Sequence, residues 1–130
     1  MKVLLVVDVQ NDFVTGALAN PEAQAKIPAI KKKIQQRIDE GWQVVFTQDT
    51  HFDDYDKTME GKYLPTKHCL VETDGWRIVH ELEEFLEALD TDCDIITFGA
   101  YSFAETISKE KRELLKTKDL KSFTKKFLKK

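Results

Sequence analysis

The sequence predicts an α/β fold in three layers, in which a parallel sheet is flanked by helices, as in Rossmann-like domains. Residues 2–8 (KVLLVVD) form a nearly continuous apolar run, which is typical of a strand covered on both faces. An isoleucine stripe at helical spacing follows, and then a second short apolar run, Val44 to Phe46, reads as a buried strand. A right-handed crossover through the helix makes the two strands parallel.

The order of elements in the first half follows from local signals. We expect residues 2–8 to be a central strand of the sheet. Asn20-Pro21 is a signal for a turn or for the first turn of the helix, and Gly41 can end the helix in a left-handed conformation. Pro28 is expected in the first turn, because further inside it would remove a backbone hydrogen bond. The helical stripe consists of Ile27, Ile30, Ile34 and Ile38.

The second half repeats the pattern once. Residues 52–76 show no sustained period and are punctuated by glycines and a proline, so they read as a long loop, and such loops are usually functional or disordered. A second helix is predicted from Ile78, Leu82, Phe85, Leu86 and Leu89, and a third strand at residues 93–97. No further strand is recognisable, so the sequence predicts a single domain, residues 1–130, with a sheet truncated after its third strand.

Composition places the chain among water-soluble globular proteins. It has 130 residues, of which 42% are hydrophobic and 33% charged, and no apolar run approaches the roughly 20 residues that cross a bilayer. The first residues reach an aspartate too early for a secretory signal, so a cytoplasmic location is expected. Two cysteines, Cys69 and Cys93, make no disulfide framework.

The C-terminal residues 116–130 carry seven lysines and a single acid, Asp119. A basic segment of this kind can contact nucleic acid or an anionic membrane. However, Leu120, Phe123 and Phe127 recur at helical spacing, which favours a packed amphipathic tail helix over a binding tail. We therefore expect neither nucleic acid nor a membrane as a partner.

Polar residues with metal-binding chemistry follow the second strand. Asp49 and His51 are separated by one residue, so in an extended segment both side chains point to the same side. With His68 they make a carboxylate and two imidazoles, a set that binds catalytic zinc and also suits iron or manganese. The alternative from spacing alone is that Asp49 opens a turn and the two histidines are unrelated surface residues.

Three ordered motifs carry a family resemblance: VVDVQNDF at residues 6–13, FTQDTHFDDY at residues 46–55 and LPTKHCLVETDGW at residues 64–76. Together they resemble the isochorismatase-like cysteine hydrolases, nicotinamidases in particular, over about residues 2–103. The resemblance implies a parallel sheet flanked by helices. It also implies hydrolysis of a small amide, which in the nicotinamidase branch converts nicotinamide to nicotinic acid and ammonia.

The resemblance also implies roles for particular residues. Asp8 matches the catalytic aspartate that takes a proton from the nucleophilic cysteine, and Phe13 matches an aromatic residue of the substrate pocket. Asp49, His51 and His68 match the ligands of a divalent metal, zinc in the first place, with iron or manganese as alternatives. A histidine ligates in its neutral form, so the metal should be lost as the pH falls.

The chain departs from this family pattern at several positions. Glu72 stands where the motif after the cysteine commonly has glycine. No lysine lies between Lys67 and Lys109, although the family has a catalytic lysine near the end of the third strand, and no cysteine follows Cys93 to act as nucleophile. His80 has no counterpart in the motifs and is expected on the surface.

Two hypotheses follow from these matches and departures. The first is a metal-binding, nicotinamidase-like amidase, either a truncated or frame-altered product or a member with altered chemistry. The second is a non-catalytic relative, a truncated product or pseudoenzyme that binds metal or a pyridine-like ligand. In the second case another chain would supply the missing groups. Separately, the tail helix or a second copy in a homo-oligomer would cover the strand edge left open by the truncated sheet. Metal-dependent release of ammonia from nicotinamide separates the two hypotheses.

Overall fold

Three parallel strands and four helices make up the described part of the computed structural model, which covers residues 2–88 and 95–99. The strands lie in the order β1-β2-β3, which confirms the predicted parallel α/β architecture. The elements are β1 (Val3–Val6), α1 (Asn11–Val14), α2 (Pro21–Asp39), β2 (Gln43–Thr50), α3 (Met59–Tyr63), α4 (Glu83–Ala88) and β3 (Ile95–Gly99). Short 3-10 turns lie at Tyr55–Lys57, Asp74–Trp76 and His80–Leu82.

The central strand of the described sheet is β2, not β1. In register, Val6 of β1 pairs with Phe46, and Phe46 pairs with Ile95 of β3. The prediction that residues 2–8 are covered on both faces is also wrong for the described residues, because Leu5 is 49% and Val7 is 62% exposed. Side chains alternate along the strand, so only the face that carries Val6 contributes to the core.

One hydrophobic core lies between the sheet and the elements on one of its faces. Burying apolar side chains is the main favourable term in folding. The packing of this core therefore determines where the ends of the strands lie. The largest side chains of this core that are almost fully buried are Phe46, Ile34, Ile78 and Leu82. Trp76 and Tyr55 are also almost fully buried but lie outside it.

Of the two interpretations of Asn20-Pro21, a turn or the first turn of the helix, the structure shows the helix start, at Pro21. The Asn20 side chain accepts a hydrogen bond from the Glu22 N–H at 3.0 Å, Pro21 takes the first position, and Gly41 follows the end with φ of 78°. The expectation for Pro28 was wrong, since it lies inside the helix. Capping at Asn20 starts the helix about two turns before Pro28, and the exposed Pro28 lacks the N–H that would continue the hydrogen-bond ladder on the solvent side.

Other boundaries shift. The second predicted helix is α4 alone, which begins at Glu83, because Ile78 instead forms a bridge with Gln10. The third strand lies two residues later than predicted, and the loop at residues 52–76 contains α3 and two 3-10 turns. Leu89, Cys93 and the tail helix predicted at residues 116–130 lie outside the described residues. Within the described residues, no helix is both long and apolar enough to traverse a bilayer.

Candidate metal centre

Asp49 and His51 lie on one face at the end of β2. The strand is longer than predicted and runs through Asp49 to Thr50, because Asp49 and Thr50 pair with β3. Asp49 is 8% exposed and His51 is fully buried, so neither is a surface residue. As the alternation predicts, both side chains point to the same side of the strand.

His68 reaches the same place because its segment pairs with the end of β2. The His51 N–H donates to the Cys69 carbonyl at 2.9 Å, and the Val71 N–H donates to the His51 carbonyl at 2.8 Å. These two bonds form a parallel bridge between His51 and Leu70. The loop thereby pairs with the end of β2 over a single bridge. This pairing places the His68 side chain, which is 2% exposed, at the end of the strand.

Four donor atoms converge there from three separate segments. One carboxylate oxygen of Asp49, Oδ2, lies 3.0 Å from Nε2 of His51 and 3.3 Å from Nε2 of His68. Glu60 brings its Oε1 to 3.6 Å from each of the two imidazole nitrogens. All four ligand atoms lie within 4.8 Å of one another. Two imidazoles and two carboxylates fit a divalent cation such as zinc.

The hydrogen bond at the other nitrogen of His68 sets which atom is free to bind a metal. Nδ1 of His68 lies 2.9 Å from the Thr66 carbonyl, which can only accept. Nδ1 therefore carries the hydrogen, and the neutral ring directs the lone pair of Nε2 at the carboxylates. A carbonyl partner of this kind orients a ligating histidine in many metal sites.

Burial, neighbouring charges and hydrogen bonds shift the pKa values of Asp49 and His68. Burial raises the pKa of Asp49, but hydrogen bonds and charge from His51 and His68 outweigh it, so the net pKa lies below the ordinary value. Burial lowers the pKa of His68, but the bonds to Asp49 and the Thr66 carbonyl, with the charges of Asp49 and Glu60, raise it overall. Both shifts favour an ionised carboxylate beside a protonated imidazole when no cation is bound.

Glu60 is the member of this group that sequence reasoning missed. It lies in α3, which begins after Thr58, whose side-chain oxygen accepts from the Gly61 N–H at 3.0 Å. The same hydroxyl donates to the Tyr55 carbonyl at 2.6 Å and fixes α3 against the preceding turn. Thr58 as a helix cap was the available signal, but no spacing rule connects α3 to β2.

Two aromatic rings enclose the histidines. The Tyr55 ring meets His51 and His68 edge-on, with centroids 4.8 and 5.3 Å apart, and its hydroxyl donates to the Leu64 carbonyl at 2.6 Å. Burial, helped by the charges of Glu60 and Asp49, raises the pKa of Tyr55 to about 12. Phe13, predicted to line a substrate pocket, lies in α1 with its ring centroid 5.6 Å from that of His68.

Asp8 lies beside β2 at the exit of β1. Its N–H donates to the Thr47 hydroxyl oxygen at 3.0 Å, and that hydroxyl donates to Oδ1 of Asp8 at 2.6 Å. Its φ of 50° turns the chain sharply after the strand. Thr47 precedes Asp49 by two residues, so Asp8 neighbours the face of β2 that carries the ligands.

Cys69 and His80 are not part of the metal cluster. Cys69 is fully buried, and burial together with the charges of Asp49 and Asp12 raises the pKa of its thiol, which disfavours the nucleophilic thiolate. Cys93 lies outside the described residues. His80 is exposed, as predicted, and its Nδ1 lies 3.0 Å from a carboxylate oxygen of Glu83.

Comparison with known proteins gives one family. The model of the isochorismatase domain matches residues 2–106. Among solved structures, the zinc complex of a pyrazinamidase from Pyrococcus horikoshii is 30% identical, with a TM-score of 0.60, over 75% of this chain and 51% of that one. A pyrazinamidase/nicotinamidase from Streptococcus mutans is 27% identical, with a TM-score of 0.69, over 86% of this chain and 64% of that one.

A nicotinamidase/pyrazinamidase from Bacillus subtilis is 28% identical, with a TM-score of 0.66, over 88% of this chain and 64% of that one. The chain thus spans between about half and two thirds of the length of these structures. No curated protein sequence matches it significantly. The family model covers most of the chain and agrees with the parallel sheet and its flanking helices, so the chain belongs to the isochorismatase family.

Proposed function

We propose that this chain is a metal-binding hydrolase of the nicotinamidase kind, which acts on a small amide such as nicotinamide. It holds a divalent ion at Asp49, His51, Glu60 and His68. The observation that carries the proposal is the convergence of four ligand atoms within 4.8 Å. Zinc is the first choice because this donor set suits it and because a similar pyrazinamidase was solved with zinc. Iron and manganese accept the same ligands.

The residues around this centre have separate tasks in the proposal. The bound ion supplies Lewis acidity, which polarises a coordinated nitrogen or oxygen. Phe13, packed near His68, offers an aromatic wall for a flat pyridine ring. Asp8, oriented by Thr47, accepts the proton of the attacking group. In the overall reaction the amide C–N bond breaks, water supplies a new C–O bond, and ammonia leaves.

One specific observation favours a second candidate function, a relative that binds metal and ligand without hydrolysing the amide. Cys69 is the only free cysteine in the described part of the chain, and the raised pKa of its thiol makes it a poor nucleophile. Hydrolysis would then require a different chain that supplies the nucleophile. Both candidates share the metal centre.

The metal centre is tested by zinc titration, with His80, the one histidine of the chain that is not a proposed ligand, as the control position. We expect one zinc ion to bind per chain. His68→Ala removes a ligand atom and should weaken binding by at least about tenfold, whereas His80→Ala, at an exposed histidine away from the cluster, should bind as the unmodified protein does. Equal zinc affinity in His68→Ala and the unmodified protein would refute the proposed centre.

Hydrolysis is tested by ammonia release from nicotinamide in the zinc-loaded protein. The first candidate predicts turnover that chelation abolishes and that Asp8→Ala lowers by a factor of about 100 or more, as loss of a general base does. Asp39→Ala, at an exposed acid near the end of α2, should leave the rate unchanged. Binding of zinc and nicotinamide without ammonia release would instead favour the second candidate.

A further inference from the structure

Two side chains of the segment that follows β1 contact the backbone at Asp49 and beside His68, and the proposed chemistry uses neither of them. The first is Gln10, which is fully buried. Its Oε1 accepts from the Asp49 N–H at 2.8 Å, and its Nε2 donates to the Asp49 carbonyl at 2.9 Å. The side-chain amide of Gln10 thus pairs with the Asp49 backbone as a strand residue would, beyond the point where β1 ends.

The side-chain amide of Gln10 also bonds to the backbone of Trp76. Nε2 of Gln10 donates to the Trp76 carbonyl at 2.7 Å, and Nε2 of Gln48 donates to that carbonyl at 2.8 Å. The indole of Trp76 in turn donates to the Thr50 hydroxyl oxygen at 2.7 Å. Gln10 is therefore part of a buried network that holds the end of β2 on either side of Asp49.

Asp12 holds the loop that carries His68 in a similar way, through hydrogen bonds from its carboxylate to the backbone. Its Oδ2 accepts from the Cys69 N–H at 2.7 Å, at the residue next to His68, and its Oδ1 accepts from the Ala17 N–H at 3.0 Å. Space around this carboxylate is restricted, because a Cβ at Gly75 would lie 2.1 Å from Oδ2 of Asp12. Cys69 has φ of 47°, an uncommon conformation that the Asp12 bond stabilises.

We infer that Gln10 and Asp12 are positioning residues that hold Asp49 and His68 at the separation a metal ion requires. This inference rests on the proposed metal centre and deepens it. The ligands come from segments far apart in sequence, so their spacing depends on what connects those segments. Both connecting side chains leave from one short stretch at the end of β1, and each makes charged or buried hydrogen bonds to the backbone at or beside a ligand.

The test uses Co²⁺, whose visible spectrum reports the geometry of its ligands independently of activity. Gln10→Met keeps the length of the side chain but removes its three hydrogen bonds. We expect this variant to bind Co²⁺ about 10 to 100 times more weakly, the usual effect of losing a residue that orients a ligand, and to show an altered spectrum. Gln24→Met is the matched control, since Gln24 donates to the Val14 carbonyl at 2.9 Å, away from the site. It should bind Co²⁺ normally.

Asp12 provides a second measurement if Gln10→Met does not fold. Asp12→Asn keeps one carbonyl acceptor, so it should lose less Co²⁺ affinity than Asp12→Ala, and this graded loss would support the inference. If folded Gln10→Met, or failing that both Asp12 variants, bind Co²⁺ with the affinity and spectrum of the unmodified protein, the inference is overturned and the metal centre stands. If the unmodified protein binds no Co²⁺ and no zinc, both are overturned.

Discussion

Glu72 adopts a backbone conformation that side chains rarely occupy, with φ of 69°, at the position where the family motif commonly has glycine. A left-handed conformation costs a residue other than glycine roughly 1–2 kcal/mol, while glycine adds about 0.5–1 kcal/mol of backbone entropy cost. We therefore expect Glu72→Gly to raise the free energy of unfolding by up to about 1 kcal/mol, measured by urea denaturation.

The control for this variant is Glu81→Gly, at an exposed position of the 3-10 turn at His80–Leu82. No strain is relieved there, so glycine should only destabilise, by roughly 0.5–1 kcal/mol. Equal destabilisation by the two substitutions would show that Glu72 carries no backbone strain. Backbone conformation would then not explain why the family motif commonly has glycine at this position.

The pKa of His68 sets the pH dependence of metal binding. Although burial lowers it, Asp49 and Glu60 hold it above its ordinary value of about 6.5. In the metal-free chain the protonated ring therefore stabilises the fold below about pH 6.5, and this stabilisation is lost as the pH rises through the folded pKa. Metal binding has the opposite dependence, because it requires the neutral ring.

We therefore expect the zinc affinity to fall as the pH is lowered, starting above pH 6.5. Once His68 is protonated, each further pH unit should cost about a factor of ten, because zinc then displaces one proton. Zinc titrations in steps between pH 8 and pH 6 measure this. An affinity that stays constant over that range would contradict a role for His68 as ligand.

At the scale of elements, α3 supplies Glu60 only because it packs closely on the turn before it. A Cβ at Gly61 would lie 2.1 Å from the Tyr55 carbonyl oxygen, so no side chain fits there without moving the backbone. Gly61→Ala should lower the free energy of unfolding by about 1–3 kcal/mol, as overpacking does. It should also weaken zinc binding, because the adjacent Glu60 moves away from the cluster.

Gly41→Ala separates these two effects. Gly41 has φ of 78° but no atom within 4 Å of an added Cβ, so alanine meets conformational strain of about 1 kcal/mol without a clash. It lies at the far end of the strand from the ligands, and zinc affinity should be unchanged. A Gly61→Ala protein that binds zinc normally would indicate that Glu60 is not a ligand.

Element types were more predictable than element ends. The isoleucine period located α2 and the signals at Asn20 and Gly41 bounded it, since caps and turns are local chemistry. The end of β2 was misplaced because its last rungs depend on β3, Gln10 and the loop at Leu70. Pairing between distant segments leaves no mark in local composition.

At the scale of the whole molecule, a bound metal would join three segments and stabilise the fold by mass action. A ligand present at a hundred times its dissociation constant adds about 2.7 kcal/mol, which corresponds to about ten degrees in the melting temperature of a domain this size. We expect zinc to raise the melting temperature and a chelator to reverse the rise. His80→Ala should show the full shift and His68→Ala at most about half of it, if its affinity is tenfold weaker; identical shifts in both would contradict the proposed ligands.

The exposed face of β1 is the whole-molecule feature that bears on partners. Val3, Leu5 and Val7 are each more than 40% exposed among the described residues. The homo-oligomer predicted from the sequence would cover such a face, and it stays a prediction. The proposed assignment of residues 1–130 to a single domain likewise stays a prediction.

The sequence by itself determined the fold class, the family motifs and three of the four proposed ligands, because strand and helix periods and the Asp-x-His alternation are local properties of the chain. The tertiary structure alone decided that Glu60 joins them, that Cys69 is buried beside acids, and that Gln10 and Asp12 tie the site together. These features arise where segments distant in sequence pack against one another, and packing is set by the whole fold.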